Sequence, residues 1–432
     1  MSSWPISYLI FLFILGSLSC LLTSNLLKMP DVPSHMRAVV FKSVGKVVVE
    51  DRPMPQIQDP RDVIVKVKAA GLCGSDLHWF RGHQKIPGDF IPGHEVIGDV
   101  FQIGGGVEKF KVGDSVVVCF WLAHHLPQSH VLLRDQRLRR FLLQASFSTQ
   151  CGSCFYCRKK QTSRCPDYYL LGMSQHHVAA KAMNISGPAL ITIGNRSTDR
   201  DIDGGQAEYV RIPFADTSLS HPPKGLPERL LVLMGDIFPT GYFCASRFLQ
   251  PMSPQEAKDT IVAVVGCGPV GICAIAAALT WADAVYAIDL IPERLAEAEK
   301  IGAKPLRLDE DPVGTIQTAT DGRGADLALE LVGGPEPFQL CLRLIRPFGI
   351  ISSVGVQAHD LTLHGPTLHA KNVKVEWGRC PVYGIFDEAL ECLVKVQDKV
   401  SFLCDREMKL EDAVEAYRLF DSRKVHKIIL VP

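Results

Sequence analysis

Two patterns of apolar and polar positions divide the chain. Residues 39–49, 63–70 and 115–119 are β-branched runs bounded by Gly, Pro and Asp. They predict strands of a mainly β region. From Asp259 the pattern changes. The apolar runs IVAVVG, AVYAIDL, ADLALELVG, FGIISSVGV and VKVEWG recur, with helix-like stretches between several of them, residues 292–301 for example. That alternation predicts βαβ units, and so an α/β fold with a parallel sheet between two layers of helices. The tail carries two amphipathic stretches, 388–396 and 410–420, and then the strand-like HKIILVP. It is expected to return to the first region.

Three segments depart from this plan. Residues 1–27 have no charged side chain, and 4–27 is apolar enough and long enough to span a bilayer. The basic start of a secretion signal is missing. Lys28 and Arg37 follow the apolar run and favour a cytosolic C-terminal side. Met36 opens the strand-like MRAVVF and offers another start. Residues 1–35 are therefore read as a membrane anchor or a false start. Residues 121–147 and 174–199 show neither helical nor strand periodicity, and loops this long are uncommon inside compact domains. They are read as wrongly joined untranslated sequence or as loop insertions.

With 432 residues, the chain is long enough for two domains with full cores. Its formal net charge is zero, which argues against a broad basic face for nucleic acid. Four of its 14 cysteines are clustered and the rest scattered, which suggests a reducing compartment rather than a disulfide framework.

The cluster is Cys151, Cys154, Cys157 and Cys165, spaced C-x2-C-x2-C-x7-C. Four thiolates this close can enclose one tetrahedral Zn²⁺ with no open position, a structural site. A second motif, G-x-G-x-x-G, runs from Gly266 through Gly268 to Gly271 between the strand IVAVV and an apolar helix. In that setting the first glycine makes the tight turn and the second lets a pyrophosphate approach the backbone. The third lets helix and strand pack closely. Asp289 ends the next predicted strand. A carboxylate there accepts from ribose hydroxyls and repels a 2′-phosphate, favouring NAD over NADP. Val270 and Arg294 are placed in the same coenzyme site.

Cys73 in GLCGSDLH and His94 in PGHEVIGDV are each weak signals alone. Together with GHEVIGDVFQIGGGV (93–107), which fits G-H-E-x2-G-x5-G-x2-V, they make the chain resemble the medium-chain zinc-dependent alcohol dehydrogenases from Met36 to the end. The resemblance implies a GroES-like, mainly β catalytic domain (36–240 and 379–432) and a doubly wound Rossmann coenzyme domain (241–378). It implies two Zn²⁺ per subunit, the catalytic ion held by Cys73, His94 and a third ligand. Asp236 takes that third place, in GDIFPTGY. That stretch is similar to the branch of glutathione-independent formaldehyde dehydrogenases.

The same resemblance makes Ser75 the relay hydroxyl and His78 the relay histidine for the substrate proton. Glu95 is an outer partner or an occasional ligand, and Asp76 steadies the ligands by hydrogen bonding. The expected activity is hydride transfer between a small alcohol and NAD, giving an aldehyde or ketone. Aldehyde oxidation or dismutation is a variant, and a non-catalytic nucleotide-binding scaffold is the reading from another class. A homodimer or homotetramer in the cytoplasm is expected, touching membrane only through residues 1–35 if they anchor it.

Overall fold

The structure, a computed structural model, describes residues 32–83, 88–117, 149–167, 171, 202–223, 225–357, 360–422 and 425–432. The apolar N-terminal run and segments 121–147 and 174–199 lie outside the described residues. No helix among the described residues is long and apolar enough to cross a membrane.

The first β-branched run folds into a hairpin, not one strand. β1 (His35–Ser43) and β2 (Lys46–Pro53) pair antiparallel. Gly45 turns the chain with φ 70°, a left-handed backbone that glycine adopts without steric cost. β3 (Val63–Gly71) is the spine of a second sheet. It pairs antiparallel with β4 (Glu95–Ile103), which in turn pairs with β5 (Ser115–Val117). Along the other edge β3 takes β6 (Tyr209–Ile212) at one end and the C-terminal strand β14 (Ile429–Val431) at the other. β13 (Glu407–Lys409) lies parallel to β14. Val63, Val65, Val100 and Val210 form one apolar layer of this sheet.

Beyond Asp259 lie β7 (Ile261–Val265), β8 (Ala284–Asp289), β9 (Lys304–Arg307), β10 (Ala325–Glu330), β11 (Ile345–Ser353) and β12 (Lys374–Trp377). All pair in parallel, in the order β12-β11-β10-β7-β8-β9. This is the doubly wound order, which reverses direction between β7 and β10 and leaves a ligand crevice beyond their carboxyl ends. The sheet has one strand more than the five apolar runs. β9 contains Lys304, Pro305 and Arg307 and sits at an edge, where a proline is tolerated and no apolar run is needed.

Two helices fix the cleft. α2 (Ile237–Leu249) and α3 (Pro269–Ala278) pack so closely that a Cβ on Gly241 would lie 2.6 Å from the Ala274 amide nitrogen. Phe238, Ile272 and Leu393 belong to the large core on this side of the parallel sheet. Tyr286, Phe338 and Leu342 belong to the core on the other.

Candidate active site

The ends of β3 and β4 are paired, with Gly71 opposite Glu95. Cys73 stands two residues after one end and His94 directly before the other, so the antiparallel register brings them together. Cys73 also caps α1 (Gly74–Phe80), which carries Ser75, Asp76 and His78. Asp236 caps α2, which is held against α3 and its glycine turn. Three elements distant in sequence thus aim one donor each at a common point.

Cys73 Sγ, the His94 ring and an Asp236 oxygen lie within 4.8 Å of one another. Cys73 Sγ donates to Asp236 Oδ2 at 3.4 Å, and His94 Nε2 is 3.7 Å from the same oxygen. Donors about 2.0–2.3 Å from a tetrahedral zinc lie about 3.3–3.8 Å apart, so the trio fits the ion. Cys73 and His94 are buried, while the Asp236 side chain keeps 24% exposure.

Burial pushes the Cys73 thiol up. Burial would also raise Asp236, but hydrogen bonding with His94, Thr240 and Cys73 outweighs it and holds the carboxyl below its ordinary range. Burial would lower His94, yet the same carboxylate and thiol carry it well above an ordinary histidine.

Outer contacts orient the trio. The Cys73 amide donates to Asp76 Oδ2 at 3.1 Å, and Asp76 Oδ1 is 3.7 Å from His94 Nδ1. Thr240 Oγ1 donates to Asp236 Oδ1 at 3.0 Å. Ser75 Oγ lies 3.2 Å from His94 Nε2, on the metal side of the ring. Glu95 does not join the trio; its buried carboxylate accepts from Lys427 Nζ, which also donates to the Leu72 carbonyl at 3.2 Å. Burial would lower Lys427, but Glu95 outweighs it and keeps the ammonium above its ordinary value. Gly71 leaves room for this pair, since a Cβ there would lie 2.5 Å from Glu95 Oε2. Sequence reasoning missed Lys427 and Thr240. The second had a signal, standing one helical turn after Asp236 in GDIFPTGY.

A cavity of about 420 Å³ opens in front of the trio. Cys73, Ser75, His78 and Asp236 line it from one side, and Val270, Arg294, Val332 and Val356 from the other. Burial, with His83 and Arg81 nearby, pulls His78 below an ordinary histidine. Gly266, Gly268, Gly271 and Asp289 do not line the cavity; they build the turn beside it. Gly266 has φ 95°, and a Cβ on Gly271 would collide with the Gly266 carbonyl oxygen. Asp289 accepts from the Cys267 amide at 2.8 Å and the Ile291 amide at 2.9 Å, with Arg294 3.7 Å away. Each carboxylate oxygen retains a lone pair for a ribose hydroxyl. The glycine turn and carboxylate fit a dinucleotide.

The four clustered cysteines form a second group whose ligand atoms all lie within 4.8 Å of one another. Cys151 and Cys165 sulfurs are 3.6 Å apart and no described cysteine is in a disulfide. The hydrogen bond from Cys157 lowers Cys165 to about 6 and raises Cys157 in turn, so the pair shares one proton and Cys165 is the thiolate of the two. A thiolate is the form a metal needs. This spacing fits a closed zinc site, and its donor set is complete without water.

Residues 59–135 match the alcohol dehydrogenase GroES-like domain family, and residues 269–395 match the zinc-binding dehydrogenase family. The chain is 40% identical over 400 residues to the zinc-type alcohol dehydrogenase B of Aspergillus flavus, covering 92% of this chain and 81% of that protein. It is 31% identical to the alcohol dehydrogenase TADH from Thermus sp. ATN1, with a TM-score of 0.74 over 92% of this chain and 99% of that one. Similarity to the glutathione-independent formaldehyde dehydrogenase of Pseudomonas aeruginosa is 31% over 289 residues, covering 64% of this chain and 60% of that protein.

Proposed function

The chain belongs to the medium-chain, zinc-binding alcohol dehydrogenase family, and on that premise we propose that it interconverts an alcohol and an aldehyde or ketone with NAD, using Cys73, His94 and Asp236 to hold the catalytic zinc. The family makes it an oxidoreductase dependent on zinc and NAD(P). The observation that carries the residue assignment is the convergence of three mixed donors, two of which, Cys73 and Asp236, line a cavity that Val270 and Arg294 also line.

When bound, zinc supplies a Lewis acid to the substrate oxygen and NAD supplies the hydride acceptor. The chain supplies orientation and proton transfer. Ser75 Oγ, beside His94 Nε2, is placed to take the hydroxyl proton. His78, one helical turn further along α1, also lines the cavity and passes the proton toward solvent. Being depressed, His78 is neutral near pH 7 and ready to accept it. Val332, Val354 and Val356 give the cavity an apolar side, with Val332 and Val356 still open to solvent. Asp289 supports NAD over NADP, because a 2′-phosphate beside its carboxylate is repelled.

GDIFPTGY and the Pseudomonas relative favour a second reading, in which hydrated formaldehyde or another aldehyde is oxidised or dismuted. Residues 36–240 with 379–432 form the proposed catalytic half and 241–378 the coenzyme half. A homodimer or homotetramer in the cytoplasm, or a membrane attachment through residues 1–35, completes the reading. The Cys151, Cys154, Cys157 and Cys165 lobe serves stability in it.

Steady-state formation of reduced nicotinamide from a panel of primary alcohols, secondary alcohols and formaldehyde tests the reading. Cys73→Ser should abolish turnover on whichever substrate is active while leaving NAD binding in place. Turnover undiminished in that variant would refute the site.

A further inference from the structure

Asp76 is fully enclosed, yet its carboxylate meets more than the two ligand residues. Gln206 Nε2 donates to Asp76 Oδ2 at 3.2 Å, and Tyr417 Oη donates to Gln206 Oε1 at 2.9 Å. Asp76, Gln206 and Tyr417 are at most 1% exposed, so none of these bonds is replaced by bulk water. We infer that Gln206 and Tyr417 are positioning residues for the proposed catalytic zinc site, holding Asp76 in the orientation that fixes Cys73 and His94. The inference rests on that site reading and adds two residues to it.

The direction of the chain follows from chemistry. The Gln206 amide nitrogen can only donate, and it faces the Asp76 carboxyl oxygen. That leaves Oε1 toward Tyr417, whose hydroxyl must then donate. One proton order satisfies every partner: Tyr417 to Gln206 to Asp76, and the Cys73 amide to Asp76. Without the Tyr417 hydroxyl, the buried Gln206 oxygen has no donor from it, and the amide loses the bond that sets which way it faces.

Gln206 also grips the turn before His94 through its backbone. Its amide donates to the Pro92 carbonyl at 3.0 Å, and the Gly205 amide donates to Gly93 at 2.9 Å. Gly93 has φ 101°, and a Cβ there would lie 2.6 Å from Gln206 Cγ. Tyr417 comes from α4 (Ala413–Asp421) near the C-terminus, and its ring packs 5.9 Å from Trp79 and 5.2 Å from Phe80, both on α1. The same two residues therefore brace two of the three elements that carry ligands, those of Cys73 and His94. Outer partners of metal ligands commonly change metal affinity by about 10–100-fold.

The test uses the full chain loaded with zinc. Release to a chelator is followed for the wild type, Tyr417→Phe and Gln206→Leu. The closed cysteine lobe serves as internal reference, since neither residue touches it. Both variants are expected to release one zinc about tenfold faster or more, with the other zinc unchanged. Cobalt substituted at the faster site should show an altered ligand-field spectrum in both variants. Release of both ions at wild-type rates, or equal acceleration of both, would overturn the inference while leaving the site itself intact. A wild type that holds only the lobe zinc would instead overturn the site reading and this inference with it. Should Gln206→Leu fail to fold, Tyr417→Phe, which keeps the ring and its packing, decides alone.

Discussion

Lys427 and Glu95 are 1% and 0% exposed and form a direct ion pair behind the ligand residues. Replacing Lys427 with Met keeps much of its length and removes its charge. Glu95 would then be a buried anion without its cation, and the Leu72 carbonyl would lose the Lys427 donor. Removing one partner of a buried pair costs about 3–5 kcal/mol, whereas replacing both with apolar groups is often close to neutral. The double variant Lys427→Met with Glu95→Leu should therefore recover most of the loss. Urea unfolding with excess zinc is the assay, followed by both tryptophan fluorescence and circular dichroism so that coincident transitions establish a single cooperative step. The expected pattern is a large loss in each single variant and a double variant far above the sum of the two. A loss under about 1 kcal/mol for Lys427→Met, or strict additivity in the double, would refute the reasoning.

Ser75→Ala should lower turnover much more than NAD affinity, because Ser75 lies beside His94 Nε2 and not beside the glycine turn; equal losses in both would count against the relay. His78 must be neutral to accept a proton, and burial with nearby His83 and Arg81 lowers its pKa, so the acid limb of alcohol oxidation should fall below the ordinary histidine value of about 6.5. Arg81→Gln removes a neighbouring positive charge and should move that limb upward in pH; a downward move would contradict the assignment. Asp289→Ser should raise the KM for NAD and narrow the preference over NADP, measured as the ratio of kcat/KM values, with an unchanged ratio as the opposing result.

What was legible in the sequence was set by short spacings. The four clustered cysteines lie within one short loop, and the glycine turn is bracketed by its own strand and helix. Alternating runs after Asp259 predicted a parallel sheet, and the structure has one. The run 39–49 holds a hairpin whose turn signal, Lys42-Ser43 and Gly45-Lys46 around Val44, is short enough to be read through as one strand. β9 escaped because an edge strand need not be continuously apolar. Asp236 was reached through resemblance, since a lone aspartate before a helix is otherwise a cap. Lys427, Gln206 and Tyr417 had no local signal. Lys427 meets a partner 332 positions away and Tyr417 one 211 positions away, through pairings that only the folded register creates. Gln206 stands in GGQAEYV, where its periodicity says strand end and nothing of a carboxylate behind a metal ligand.

The measurement that bears most directly on the whole account is zinc per chain in the purified full-length protein, made beside His94→Ala and Cys154→Ser. The account predicts two zinc ions in the full-length chain, one in His94→Ala, and a different one lost in Cys154→Ser. A full-length chain holding one zinc or none, or a His94→Ala variant that still holds two, would contradict it.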